Sequence, residues 1–276
     1  MSRFTVIGAG GFIGARLAAR LRAEGHEVLA PDRHTTDYLS EDLGRVFYCA
    51  GLTGDFMVRP FDTVEAHVSL LTRLLREGRF ERLVYLSSTR VYDSQVDGMG
   101  REDAVLALDP HQPRNVYDLS KALGENLCLA WSGGRAAVAR LSNVLALDEE
   151  ASGFLPDLMR RARREREIVL ASSPAGARDY VLVDDALEGL IRLEARGGAR
   201  IVNVAAGRNI SNQDLVDLFA RHGWRLVLTG QDAPPAPPVC DVTRLRGLGV
   251  EPQDMRTVLE TLLSSAGFYQ GPPQGA

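Results

Sequence analysis

A short apolar run, Phe4–Ile7, stops at the glycines of Gly8-Ala-Gly-Gly11-Phe-Ile-Gly14, and helical spacing follows at once. Phe12, Ile13, Leu17 and Leu21 fall on one side of that helix. A strand that enters a helix through such a turn commits the chain to a crossover, and so to a parallel strand beside the first. The glycines let the backbone turn tightly and approach a pyrophosphate, whose charge then rests on the helix N-terminus. Alone, the loop is weak evidence, because a tight turn that binds nothing looks the same. Here Asp32 follows a second strand, Glu27–Ala30, at the interval from Gly8 that a βαβ unit requires. A carboxylate there accepts both ribose hydroxyls and repels a 2′-phosphate, so NAD is the expected cofactor. Arg33 next to it can welcome that phosphate, which keeps NADP as the alternative.

Strand and helix then keep alternating. Arg45–Ala50, Leu83–Ser87 and Ala136–Leu141 read as strands, with helices at about Val64–Arg76 and Val116–Trp131. This pattern predicts an α/β fold, a doubly wound parallel sheet of the Rossmann type over residues 1–145. Only Arg33–Gly44 separates the second strand from the third. A helix, strand and helix cannot fit there, so one crossover unit is expected to be trimmed or replaced by a loop. From about Ala146 the character changes. Five arginines, Arg160, Arg161, Arg163, Arg164 and Arg166, crowd one helix, which reads as a solvated face. Strands at Ile168–Ala171, Tyr180–Val183, Arg200–Val204 and Trp224–Leu228 alternate with helices at Asp184–Glu194, Asn212–Arg221 and Met255–Ser265. Residues 146–268 are expected to form a small mixed lobe for substrate, with the segment at about 178–205 returning to the main sheet. Ala233–Pro238 is too rich in proline for helix or central strand. Residues 269–276 are expected to be a disordered tail.

Composition narrows the partners. The 276 residues carry 32 Lys and Arg against 36 Asp and Glu, a net charge of −4, which supplies no field to draw in nucleic acid. Cys49, Cys128 and Cys240 are far apart and odd in number, with no CxxC pair. They read as buried thiols of a reducing compartment, with no metal site. No apolar stretch is long enough to span a membrane and no leader pattern opens the chain, so a cytoplasmic location is expected.

The chemistry lies in two further motifs. In Tyr117-Asp-Leu-Ser-Lys121 the phenol and the ammonium share one helix face at i and i+4. A neighbouring ammonium and a positive nicotinamide ring both favour the phenolate, giving a base for alcohol oxidation and an acid for the reverse. Leu86-Ser87-Ser88-Thr89-Arg90-Val91-Tyr92 lies at the C-terminal end of a strand, where open parallel sheets bind ligands. A hydroxyl there can hydrogen-bond the reacting oxygen.

Together these residues resemble the extended short-chain dehydrogenase/reductase family, in its NAD-dependent sugar-nucleotide epimerase and dehydratase branch. The resemblance runs to about Pro252. It rests on the glycine loop, Tyr48-Cys-Ala-Gly-Leu-Thr53, Ser87-Ser88-Thr-Arg-Val-Tyr92, Glu102-Asp103 leading to Pro113 and the Tyr117–Lys121 motif. Arg140-Leu-Ser-Asn143, Arg178-Asp-Tyr-Val-Leu-Val-Asp-Asp185 and Asn203-Val-Ala-Ala-Gly207 then follow in the family's order. The resemblance implies Ser88, Tyr117 and Lys121 as the catalytic trio. It implies Gly8, Gly11, Phe12, Ile13, Gly14, Asp32 and Arg33, with Ala50, Gly51 and Ser142, as the cofactor site. Asn143, Arg178, Thr89 and His67 are implied on the substrate side, with Arg178 on a phosphate. The family often forms homodimers through two helices, here about Val64–Arg76 and Val116–Trp131.

The departures matter as much. His67 stands where the family usually has asparagine, and it is a candidate to hold water or the lysine network. Arg90 stands where dehydratases and decarboxylases usually carry glutamate. An arginine cannot remove a proton next to a ketone, so dehydration by the usual route is disfavoured. The late phosphate arginine is absent, with Ala233–Val239 in its place and Arg244 or Arg246 as the nearest substitutes. Leu145-Ala-Leu-Asp148 replaces the glycine that usually follows the Asn143 segment. The expected activity is hydride transfer at a carbinol of a nucleotide-linked sugar, with the outcome left open: epimerisation or net oxidation with NAD, or ketoreduction with NADPH. A dinucleotide-binding sensor or scaffold without turnover is the reading from another class.

Overall fold

A computed structural model of the chain describes residues 1–271 except 34, 36, 96–97, 149–150, 152, 199 and 233–235. In chain order, β1 (Arg3–Ile7) runs through the glycine turn into α1 (Phe12–Ala23) and back to β2 (Glu27–Leu29). After a 3-10 turn at Asp37–Ser40 come β3 (Arg45–Tyr48), α2 (Pro60–Val64), a π-helical stretch at Glu65–Ser69, α3 (Leu70–Glu77) and β4 (Arg82–Ser88). A 3-10 turn at Thr89–Tyr92, β5 (Met99–Gly100), α4 (Asn115–Trp131), β6 (Ala136–Leu141) and β7 (Asn143–Leu145) follow. Then come α5 (Phe154–Ala162), β8 (Glu167–Leu170), β9 (Ala177–Leu182), α6 (Val183–Arg196), β10 (Ile201–Val204) and β11 (Asn209–Ser211). The chain closes with α7 (Asn212–Arg221), β12 (Arg225–Leu228), β13 (Val239–Cys240), α8 (Thr243–Arg246) and α9 (Met255–Ser264).

The central sheet is parallel and six-stranded, in the order β10-β6-β4-β3-β1-β2. α1 and α6 pack together on one face, and α3 and α4 on the other. This is the doubly wound arrangement of the Rossmann type that the alternation predicts. Its strands are buried on both faces, which is why β4 and β6 read as near-continuous apolar runs.

The short link between β2 and β3 contains no strand and no α-helix among its described residues, so β2 pairs only with β1 and forms the sheet edge. The link still contributes to the core. Tyr38, Leu39 and Leu43 are buried against Val46, Tyr48, Leu71 and Leu74, where the missing crossover would otherwise leave the face open. Thr5 donates its hydroxyl to the Leu43 carbonyl at 2.7 Å, which fastens the link to β1.

A second core gathers α5, α7, α9 and strands β7, β9, β11, β8 and β12 around Leu155, Phe219, Trp224 and Leu259. Four strands were not legible: β7 and β11, which flank β9 in one small sheet, and the two-residue β5 and β13, which pair in parallel. Strands this short carry no periodicity. The expected disorder from residue 269 begins too early. Tyr269 packs 6.2 Å from Trp224, Arg166 stacks on its ring, and the Gln270 amide donates to the Arg163 carbonyl at 2.7 Å. Residues 272–276 lie outside the described residues, as do residues 233–235 of the proline-rich segment. Among the described residues no helix is long and apolar enough to cross a membrane.

A candidate active site at the C-terminal ends of the strands

The glycine loop is built by its own backbone. Gly8 has φ +88°, and a side chain on it would lie 2.7 Å from the Ala50 nitrogen, so β1 and the end of β3 meet closely only at glycine. A side chain on Gly14 would strike the Gly8 carbonyl. The Gly11 amide donates to Gly8 O at 3.0 Å, and α1 starts at Phe12 with no side chain capping it. Gly10, which the sequence reading passed over, differs from these. It has no positive φ, and a Cβ there would meet nothing within 4 Å. The fold does not require glycine at that position, and the bare backbone leaves open space beside the uncapped start of α1. Phe12 is partly exposed under the Arg16 guanidinium. Asp32 and Arg33 lie just beyond β2 on the surface. This cradle fits a dinucleotide with its pyrophosphate at α1 and its adenosine toward β2.

Lys121, Tyr117 and Ser88 come together beyond β3 and β4. Tyr117 and Lys121 are one turn apart on α4, and both are buried. Ser88 ends β4 and caps the following 3-10 turn by accepting the Arg90 amide at 3.2 Å. Burial pushes the Tyr117 phenol above its ordinary value, against hydrogen bonds with Ser88 and Thr53 and the charge of Arg90. Lys121 donates to the Leu86 carbonyl at 2.7 Å, and burial pulls its ammonium down from 10.5 to about 7. The cation lying over the Tyr117 ring is instead Arg90, with Cζ 5.4 Å from that centroid and 5.4 Å from the centroid of Phe56. The i,i+4 spacing predicts an ammonium that favours the phenolate, but Lys121 turns to the Leu86 carbonyl and the Tyr85 ring, and burial raises the phenol instead.

His67 corrects the sequence reading. It was expected on the substrate side, yet it is fully buried behind Tyr117, ring edge to face at 5.2 Å. The π-helical stretch turns it inward, where Nδ1 meets the Ser120 hydroxyl at 2.8 Å, and Ser120 also donates to the Tyr117 carbonyl at 2.8 Å. Burial and the nearby Lys121 charge pull its pKa down to about 2, so the ring is neutral. Its Nε2 has no hydrogen-bond partner among the described residues. A Cβ on Gly51 would lie 3.0 Å from that Nε2 and 3.4 Å from Lys121 Nζ, so Gly51 makes room for both. The expected link between His67 and the lysine is therefore one of proximity from behind the site.

Beyond Arg90, which packs on the Tyr117 ring, opens a cavity of about 330 Å³, lined among others by Thr89, Arg90, Asp93, Arg114, Asn143 and Arg178. Thr89, Asn143 and Arg178, the residues expected on the substrate side, are all in this wall. Asn143 donates to the Asp179 carbonyl at 2.9 Å, and Arg178 to the Ala177 carbonyl at 2.7 Å. Ser142 follows β6, its amide donating to the Val204 carbonyl at 3.1 Å. Pro237 and Pro238 form part of the wall. Arg244 and Arg246 do not line the cavity, being held by the Ile201 carbonyl and by Glu251. Arg90 was singled out in the sequence as standing where related enzymes carry an acid, but Arg114 was not, because distances between residues in different loops are invisible in a sequence.

Comparison with known proteins agrees with this geometry. The profile of the NAD dependent epimerase/dehydratase family matches residues 4–205. The chain is 31% identical over 246 residues to the GDP-6-deoxy-D-mannose reductase of Pseudomonas aeruginosa, covering 79% of each protein. Among solved structures, RMD from Pseudomonas aeruginosa complexed with NADPH superposes with a TM-score of 0.73 at 25% identity, over 97% of this chain and 99% of that one. MoeE5 in complex with UDP-glucuronic acid and NAD shares the fold, with a TM-score of 0.75 at 23% identity over 92% and 95% of the two chains.

Proposed function

The chain belongs to the NAD dependent epimerase/dehydratase family, and from that premise we propose that it carries out hydride transfer at a carbinol of a nucleotide sugar. The observation that carries the reading is the buried, hydrogen-bonded Ser88–Tyr117 pair, which adjoins Thr89 and Arg90 in the wall of the cavity, in a chain whose glycine loop opens an uncapped helix. NAD, when bound, supplies the acceptor and donor of the hydride. Tyr117 takes the hydroxyl proton at its phenolic oxygen and returns it in the reverse direction. Ser88 hydrogen-bonds the reacting oxygen and orients it. Lys121 holds the cofactor ribose and adds positive charge beside the phenol. His67, neutral and packed behind the ring, fixes the position of Tyr117. Gly8, Gly11, Phe12, Ile13 and Gly14 seat the pyrophosphate, with Asp32 on the adenosine ribose and Arg33 beside it. Ala50, Gly51 and Ser142 flank the nicotinamide half. Asn143 and Arg178 hold the substrate, Arg178 at its diphosphate.

Arg90 in place of an acidic side chain favours epimerisation or simple oxidation and reduction over dehydration. Ketoreduction is further supported by the likeness to a GDP-6-deoxy-D-mannose reductase and to a structure complexed with NADPH. The test is purified protein assayed for bound NAD or NADP, and for change in absorbance of the reduced cofactor with a panel of nucleotide sugars and their keto forms. Tyr117→Phe should lower kcat by about 10²- to 10⁴-fold while still binding cofactor. Full activity in that variant would overturn the assignment.

We read residues 146–268 as the substrate lobe, in a cytoplasmic protein. A homodimer is favoured by an apolar surface on the α2 side. Phe61 is 87% exposed and Val58 80%, with Met57, Val64 and Leu123 also exposed. α2 and the adjoining π stretch pack on α4, the pair of helices that would meet their counterparts across a two-fold axis.

A further inference from the structure

We infer that Arg90 reads a carboxylate on the sugar itself, so that the site prefers a nucleotide sugar carrying an acid group over one carrying a neutral hexose. The inference rests on the nucleotide-sugar reading of the same cavity. The wall of that cavity holds three guanidinium groups, and they are not equivalent. Arg114 is neutralised by Asp93 at 3.1 Å and by buried Asp118 at 3.5 Å. Arg178 lies on β9 beside Asn143, on the diphosphate side of the proposed site. Arg90 has no carboxylate within 4.0 Å among the described residues. Its Nη1 is buried without a hydrogen-bond partner.

Geometry places this charge at the reacting end. Arg90 follows Ser88 by two residues, and its Cζ is 5.4 Å from the Tyr117 ring centroid, packed also on Phe56. Two aromatic rings hold the guanidinium in place, so little side-chain freedom is lost when a ligand meets it. A planar fork beside the carbon under oxidation matches a carboxylate on the same ring. A second phosphate is a poorer fit, because beside the mutually paired Arg114 and Asp93 the single charge of Arg90 matches a monoanion and leaves a dianion half-compensated. Thr89, next in the chain, offers a hydroxyl to the same group.

The test compares binding and turnover of UDP-glucuronate with UDP-glucose, and of GDP-mannuronate with GDP-mannose, in the wild type, Arg90→Met and Arg90→Lys. Binding is measured by calorimetry in a Tyr117→Phe background, so that it does not depend on chemistry. The acid is expected to bind roughly 10- to 100-fold more tightly than the neutral sugar in at least one pair. Arg90→Met should bring that ratio near one, and Arg90→Lys should restore part of it. A ratio near one in the wild type, no binding of either pair, or an equal loss for acid and neutral sugars in Arg90→Met would overturn the inference. The last result would make Arg90 a residue that acts only through Tyr117. Acid-selective binding with no turnover of any nucleotide sugar would instead sink the hydride-transfer reading and leave the anion site standing.

Discussion

Lys121 is the only lysine in the chain, and it sits buried at the centre of the site. Its side chain can therefore be watched alone. Lysine labelled with ¹³C should give one ε-carbon resonance, titrating near pH 7 in the free protein; a midpoint near the ordinary 10.5 would contradict the burial described. The same group links stability to pH. Its folded pKa lies below its unfolded one, so between about 7 and 10.5 the unfolded chain binds more protons. Its contribution therefore makes stability rise with pH across that window, and the burial penalty is greatest below it. Urea unfolding at a series of pH values should show this slope, and Lys121→Met should flatten it. His67→Ala should cost about 2–4 kcal/mol of stability, since it empties a buried site behind Tyr117 and unpairs nothing that Ser120 cannot re-satisfy. At this scale the sequence was readable where chemistry depends on neighbours along one helix, as with Tyr117 and Lys121. It was not readable for Arg90 and Tyr117, which approach only because a strand end and a helix start converge.

Between elements, one buried polar network joins the sheet to the segments that close over it. Arg140 on β6 donates to both oxygens of Glu125 on α4, at 2.9 and 2.6 Å, and to the Tyr92 hydroxyl at 2.7 Å. Ser87 donates to Glu125 at 2.5 Å, and Tyr92 to Asn203 on β10 at 2.8 Å. Asn203 in turn donates to the carbonyls of Gly100 and Asp241, at the ends of β5 and β13. Arg140→Met alone leaves a buried carboxylate unpaired and should destabilise by about 3–5 kcal/mol. Pairing it with Glu125→Leu should recover much of that loss in a double-mutant cycle, read from unfolding midpoints. The larger elements were legible because period and length agree: α7 follows its Ser211–Asp214 capping box, and β6 is apolar at every position but Arg140. β5 and β13 were not, since two residues show no period and their pairing depends on Asn203 holding both.

For the whole molecule, the alternation of strands and helices carried the architecture, and the shortness of the Arg33–Gly44 link foretold the lost crossover. The way Tyr38, Leu39 and Leu43 fill the space was hidden, because a link without regular structure gives no pattern to read. The exposed apolar face was hidden too, since apolar residues on a helix look alike whether they meet a core or a partner. Sedimentation should show a dimer, and Phe61→Glu should shift it to monomer while leaving the helical circular-dichroism signal intact. A monomeric wild type would remove the α2 surface from consideration.

The lost crossover has a practical consequence. Because β2 ends the sheet, no further strand among the described residues walls in the side of the cradle proposed for the adenosine. A dinucleotide tethered to a resin through its adenine amine should therefore still reach the cradle from that side. Retention on such a resin, with elution by free NAD, would make the truncated edge a handle for purification, and failure to bind would show that the surface link covers the adenine after all.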